Sequence, residues 1–486
     1  MYNASADGIA VVGLSCKLPG ADSLDKYWQL LINGRSAVNQ PNATSAGGRY
    51  VFPKTAGYLN GIDGFDADFF GIRPAEAATI DPRQLLMLEL CWEAIEDAGI
   101  SPDALKRRSV GVFVGASRDE FGESIRVGDS DAYAAAGTHR AMIANRVSRF
   151  FDFTGPSMVL DSAQSSSLIA VHLACESIRR GESSVAIAGG VSLMVTGSNV
   201  QMMDNLGVIS RQGECRAFDA NADGFVPGEG GGIVLLKPLA QALRDGDRIY
   251  SVILGGAINQ DGASTDFMAP SVAAQEELFL SALRRANVGS DQVRYVELHG
   301  TGTVAGDLAE AAALVSVFGK RRGSDGSWLQ VGSVKTNIGH LDAAAGIAGF
   351  IKVALGLLHE TIPPSLNYAT PNGSISAIDS GVAVLRQGLD LSADDGRAVA
   401  GVSSFGMGGT NCHIVVAAHS ARANNSDTSQ AFGLVQESAT THGLVWVLSG
   451  RSGEGLLAQG RRLQEWLLTR PELDPVDVGW SLISTR

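Results

Sequence analysis

Four short stretches of this 486-residue chain carry side chains able to move protons, stabilise an anion or seat a nucleophile. "VELHGTGTVAGDLAE" sets His299 at the end of a β-type run, with Thr301 and Thr303 among glycines just beyond it. An imidazole flanked by hydroxyls suits acid–base work or donation to a developing oxyanion. Taken alone, it reads first as a loop histidine satisfied by its neighbours. "VGSVKTNIGHLDAAAGIAGFIK" brings Lys335 and His340 to a turn entering a helix of small residues. "GVSSFGMGGTNCHIVV" is a glycine-rich turn after a Ser pair, around Phe405. Such a turn aims backbone N–H groups at an oxyanion, or simply reverses the chain. The fourth stretch, "VLDSAQSSSLIAVHLACESIRR", starts as a strand and continues as a helix, with Asp161 and Ser162 as expected cap residues. A strand-to-helix elbow is a natural mount for a nucleophile, because the helix N-terminus favours negative charge. Its apex is Gln164, an amide that is neither nucleophile, acid nor base.

Positioning these groups takes a large framework. Short β-branched runs at 9–12, 110–114, 185–188, 233–236, 252–254 and 413–416 read as buried strands. Helical stretches such as 83–98 and 273–286 lie between them. The alternation gives an α/β fold with buried sheets, arranged in two blocks over about 1–250 and 251–418, with no clear sequence repeat. After residue 418 a polar, small-residue stretch reads as a linker. From 443 a strand, a helix over about 454–468 and a shorter helix are expected. The end at Arg486, just after "VGWSLI", reads as a cut through a longer polypeptide or as a plain C-terminal helix.

Bulk properties narrow the class. Lys and Arg number 38 against 51 Asp and Glu, a net charge of −13, which argues against a nucleic-acid or anionic-membrane surface. Five scattered cysteines with no CxxC pair argue against a disulfide framework and a metal site. No run reaches the roughly 18 apolar residues of a membrane span, and no secretory leader is visible, so a reducing, cytoplasmic setting is expected. The glycine clusters match neither a phosphate loop nor a dinucleotide fingerprint.

Taken together, "IAVVGLSCKLPGA", "DPRQLLMLELCWEAIEDAGI", "GPSMVLDSAQSSSLIAVHLA", "FDANADGFVPGEG", "INQDG", "VELHGTGTVAGD", "GSVKTNIGHLDAAAGIAG" and "SSFGMGGTNCHIVV" resemble the β-ketoacyl synthase domain of modular polyketide synthases. The resemblance covers about 9–418, with 419–442 as a linker. Residues 443–486 resemble the start of the small α/β linker domain between a ketosynthase and an acyltransferase. It implies a thiolase-like fold of five layers, α-β-α-β-α, in two similar halves, working as a homodimer. It also implies a catalytic Cys and two His. Both histidines stand in their motifs as His299 and His340, and the lysine matches as Lys335, but the Cys position holds Gln164. Ser162, Leu308 and Asp342 are smaller departures, standing where Thr, Pro and Glu are usual.

Gln164 cannot form a thioester, so condensation is lost. Cys175 cannot replace it, being eleven residues on, about 16 Å along the same helix. Decarboxylation needs only an enolate sink, which His299 and His340 can supply, with backbone N–H of Phe405 assisting or holding Gln164. The chain therefore resembles the Q-type ketosynthase of a loading module. The resemblance implies conversion of malonyl- or methylmalonyl-acyl carrier protein to acetyl or propionyl starter, with Thr301 and Thr303 against the departing carboxylate. The substrate rides on the phosphopantetheine arm of an acyl carrier protein, no cofactor or metal is bound by the domain itself, and an acyltransferase adjoins. Two other readings stand beside it: a catalytically silent domain for carrier-protein docking or dimerisation, and an engineered Cys-to-Gln form of a condensing ketosynthase. Arg73, Arg140, Arg146 and Lys352 are candidate cations for an acidic carrier, or plain solvated surface.

Overall fold

The computed structural model describes residues 7–39, 53–62, 64–124, 132–264, 266, 268–319, 328–373, 381–394, 396–419 and 445–484. Its strands are β1 (Ile9–Lys17), β2 (Val110–Gly115), β3 (Ser157–Leu160), β4 (Val185–Ser192), β5 (Gly230–Pro238), β6 (Ser251–Gln260), β7 (Val293–Glu297), β8 (Leu329–Gly332), β9 (Thr361–Ile362), β10 (Val382–Val384), β11 (Leu389–Asp390), β12 (Val399–Phe405) and β13 (Thr410–Ala417). Among the described residues β9 and β11 form a separate ribbon. The other eleven are hydrogen-bonded in the order β10-β8-β7-β12-β13-β6-β1-β5-β4-β2-β3.

That order contains the same arrangement twice. In one half β1 runs antiparallel to β5, β5 antiparallel to β4, β4 parallel to β2 and β2 parallel to β3. In the other half β6, β13, β12, β7 and β8 repeat those relations in turn. The halves join where β1 and β6 pair over Ile9–Val11. The two blocks read from sequence are thus two copies of one topology, although side-chain identity does not show it.

Four helices complete five layers: α1 (Pro82–Asp97), α2 (Ser166–Arg179), α3 (Val272–Ala286) and α4 (Ala345–Leu358). Helices α2 and α4 follow β3 and β8, the equivalent strands, and pack together between the halves. Leu168, Val171, Ile347, Phe350 and Val353 meet there in one buried cluster. A helix in that position is covered on all sides, so α4 is nearly continuous in Ala, Gly, Ile, Val and Leu rather than amphipathic. Helices α1 and α3 cover the outer faces through a second cluster that includes Leu86, Leu90, Leu278 and Phe279. Gly13 permits the close approach of β1 to α1, since a Cβ there would lie 2.3 Å from the Ala94 carbonyl oxygen.

Several expectations change. Helix α2 begins at Ser166 with Ser165 as its N-cap, so Asp161 and Ser162 are elbow residues rather than caps. Residues 445–450 form no strand, while the two C-terminal helices appear at Gly453–Leu468 and Pro475–Ser484. Of the expected linker 419–442, only His419 lies among the described residues. Lys352 is no docking cation: it is 0% exposed, with Nζ 2.7 Å from Glu297 Oε2 and 2.9 Å from the Tyr295 hydroxyl. All five cysteines are buried free thiols. Among the described residues no helix is long and apolar enough to cross a membrane.

Candidate active site

The pseudo-symmetry explains why distant motifs converge. The elbow after β3 carries Gln164 into α2, and the equivalent connection after β8 carries Lys335 and His340 into α4. His299 follows β7, and Phe405 ends β12. The strand ends of both halves thereby meet at one place.

At the elbow Ala163 holds a φ of +56°, a left-handed conformation that costs a non-glycine residue energy and turns Gln164 out of the chain path. Gly406 packs against it, where a Cβ would lie 2.4 Å from the Ser162 carbonyl oxygen. The Gln164 carbonyl accepts from Ser404 Oγ at 2.8 Å. Its side-chain Oε1 accepts from the backbone N–H of Met407 at 2.9 Å. Its Nε2 donates to Asp342 Oδ1 at 3.0 Å and lies 3.7 Å from Met407 Sδ. The backbone donor reaching Gln164 is therefore Met407, two residues past Phe405. Phe405 contributes its ring, 5.5 Å from that of His299.

His340 is 5% exposed, and its Nδ1 accepts from the backbone N–H of Asp342 at 3.1 Å. A neutral ring accepting at Nδ1 carries its proton on Nε2, so His340 presents a donor. Burial first, then the Lys335 ammonium, holds its pKa well below the usual imidazole value. The His299 ring stands edge-on to it, centroids 5.6 Å apart. His299 is depressed for the same reasons in the same order, with His340 as a third cause. Its Nδ1 is buried without a hydrogen-bond partner.

A layer of buried ionisable groups holds the His299 loop from behind. Lys335 Nζ donates to the His299 carbonyl at 2.5 Å. Glu310 accepts the N–H groups of His299 and Gly300, both at 2.8 Å, and Asp307 accepts those of Phe218 at 2.7 Å and Gly302 at 3.1 Å. Burial pushes Glu310 up to about 8 and Asp307 up to about 7, and it lowers Lys335. Lys335 touches the loop backbone, so its contact is structural support for His299. The hydroxyls of Thr301 and Thr303 bond to each other at 2.9 Å.

A cavity of about 50 Å³ opens beside this group. Gln164, His340, Asp342, Ser117 and Asn199 give it a polar side, facing Met194, Met203 and Phe225. His299, Thr301 and Thr303 are not among its walls. Nothing in the sequence singles out Ser117, Asn199 or Met407. Each belongs to a segment whose position only the folded sheet fixes. Of the remaining candidate cations, Arg140 pairs with Asp161 at 2.6 Å, and Arg146 with Glu76 at 3.0 Å.

Known proteins share this framework. The family described as the β-ketoacyl synthase N-terminal domain matches residues 6–242, the corresponding C-terminal domain 250–369, and the ketoacyl-synthetase C-terminal extension 371–485. The chain is 48% identical over 501 aligned residues to polyketide synthase GfsA of Streptomyces halstedii, covering 99% of this chain and 7% of that one. It is 45% identical over 430 residues to a phenolphthiocerol/phthiocerol polyketide synthase of Mycobacterium tuberculosis, covering 85% of this chain and 23% of that one. Among solved structures, the ketosynthase from module 6 of the bacillaene synthase from Bacillus subtilis 168 superposes with a TM-score of 0.87 at 35% identity, covering 99% of this chain and 80% of that one. An oxazolomycin ketosynthase domain from Streptomyces albus JA3453 gives 0.87 at 33%, with 98% and 83% covered. Fold, motif order and coverage agree: the chain belongs to the β-ketoacyl synthase family, as a ketosynthase domain of the polyketide synthase type.

Proposed function

We propose that this domain decarboxylates malonyl- or methylmalonyl-acyl carrier protein to the acetyl or propionyl starter unit and performs no condensation. The observation that carries the reading is Gln164 at the elbow, its amide held by Met407 and Asp342, beside two uncharged histidines. Without a nucleophile no acyl-enzyme forms. The other half of ketosynthase chemistry needs only groups that accept charge on the thioester oxygen.

In this reading the thioester carbonyl lies against His340 Nε2–H, with the His299 ring as second donor. The bond between the α-carbon and the β-carboxylate breaks, CO₂ leaves, and the electron pair becomes an enolate whose oxygen the two rings stabilise. Among the described residues the His299 Nδ1 has no hydrogen-bond partner, so no protein group among them fixes which ring nitrogen carries the proton. Protonation of the enolate carbon by water returns the acetyl or propionyl thioester. The neutral amide of Gln164 helps by what it replaces, since a thiolate would repel both carboxylate and enolate. Thr301 and Thr303 offer hydroxyls to the departing carboxylate, and a Thr301→Val variant with full rate would remove them from the account.

The substrate would arrive on a carrier protein's phosphopantetheine arm, supplied by an adjoining acyltransferase. The homodimer would form at β3, the sheet edge, where Met158 is 40% exposed. An unpaired edge strand is a ready template for a second copy. The test is incubation of purified protein with malonyl-loaded carrier protein. Acetyl carrier protein should form with wild type and far more slowly with His340→Ala. Identical behaviour of both, with carrier binding retained, would favour a silent docking domain instead.

A further inference from the structure

We infer that Asp342 is a positioning residue that fixes the Gln164 amide in one orientation and, through it, sets the rate of decarboxylation. The inference rests on the proposed activity for its second half only. The Gln164 side chain lies between Asp342 Oδ1 at 3.0 Å and the Met407 N–H at 2.9 Å. A carboxylate accepts and a backbone N–H donates, so only one of the two amide orientations satisfies both. The oxygen turns to the Met407 N–H and the nitrogen to Asp342, with Met407 Sδ 3.7 Å from that nitrogen.

Asp342 is itself held. Its Oδ2 accepts from Ser117 Oγ at 2.6 Å and from Asn199 Nδ2 at 3.4 Å. The Ser117 loop is anchored by Arg83, whose Nη1 donates to the carbonyls of Ser117 and Arg118, both at 2.7 Å. Arg83 is locked by Asp81 at 2.6 Å within a buried pair. Asp342 adopts a φ of +45°, which Asp tolerates better than most residues. That conformation accompanies the donation of its N–H to His340 Nδ1 at 3.1 Å. One residue thus orients Gln164 through its side chain and His340 through its backbone.

The test uses Asp342→Ala, Gln164→Ala and the double variant, with decarboxylation kinetics on malonyl-loaded carrier protein and crystal structures of wild type and Asp342→Ala. Losing a hydrogen bond to a charged partner predicts about a tenfold fall in kcat for Asp342→Ala, with KM little changed. In the Gln164→Ala background the same change should cost under about twofold, because the residue it acts through is gone. The Gln164 amide should leave Met407 or occupy two orientations in the Asp342→Ala crystal. An equal loss in both backgrounds, or an unchanged amide, overturns the inference. If wild type releases no CO₂, the decarboxylase reading falls, and the amide orientation alone then decides for or against Asp342.

Discussion

On the proposed decarboxylase reading, replacing His340 by Ala removes the donor on which the chemistry turns. The wild-type ring is uncharged, because burial and Lys335 hold it far below the usual imidazole value, and its proton sits on Nε2 because Asp342 N–H occupies Nδ1. In that reading it acts as a fixed, buried dipole, like one member of an oxyanion hole. Removing one such donor costs about 100- to 1000-fold in kcat, roughly 3–4 kcal/mol of barrier. The substitution also strands the Asp342 N–H, a buried donor worth about 1–3 kcal/mol. A domain stable by about 5–15 kcal/mol survives that loss, so the variant should remain folded with a lowered melting temperature. The assay is single-turnover conversion of malonyl- to acetyl-carrier protein, followed by mass, with circular dichroism as the folding control. His340→Gln, which keeps an N–H donor, should recover part of the rate. A folded His340→Ala protein within about threefold of wild type would refute the reasoning.

Three further predictions concern the scaffold and the seat. Burial pushes His172 down to about 4 and His413 to about 3, whereas the unfolded imidazole protonates near 6.5. The unfolded state then binds more protons as pH falls from about 6.5 to 4, costing each group about 2 kcal/mol of stability at pH 5. Denaturant midpoints should therefore drop between pH 7.5 and 5, and less steeply in His172→Leu; an equal drop would dismiss the assignment. Gln164→Cys should create one thiol that iodoacetamide labels in the native protein, whereas the five buried wild-type thiols should stay unlabelled by intact mass. Lys352→Met leaves Glu297 charged and buried, a loss of about 3–5 kcal/mol by urea unfolding, which Glu297→Gln in the same chain should largely restore. A loss under about 1 kcal/mol would mean that the pair is not a buried ionic one.

The motifs are legible where chemistry depends on local order. The run from Val159 into Ser166 announces an elbow, and the glycines around His299 and His340 announce turns against a strand end. Periodicity cannot supply the pairing of halves. Strands β3 and β8 share no sequence signal, yet their equivalence places Gln164 and His340 at the same kind of helix entrance. Contacts made by loops are also hidden: Met407 N–H rather than Phe405 N–H reaches Gln164, and Ser117 reaches Asp342 from 225 positions away. Lys352 misleads because a lysine in a run of small residues reads as a surface charge, when Glu297 and Tyr295 hold it at the centre of the fold. The start of α2 reads too early because Asp161 and Ser162 are good cap types, while the positive φ of Ala163 delays the helix to Ser166.

The central claim is that the seat at Gln164 supports carbon–carbon bond cleavage and forms no covalent acyl intermediate. It is tested most directly by intact mass spectrometry of protein and malonyl-loaded carrier protein in the same single-turnover reaction. The carrier should lose the mass of CO₂ while the protein's mass stays unchanged throughout. An acylated protein, or a malonyl carrier that persists unchanged beside folded protein, would contradict it.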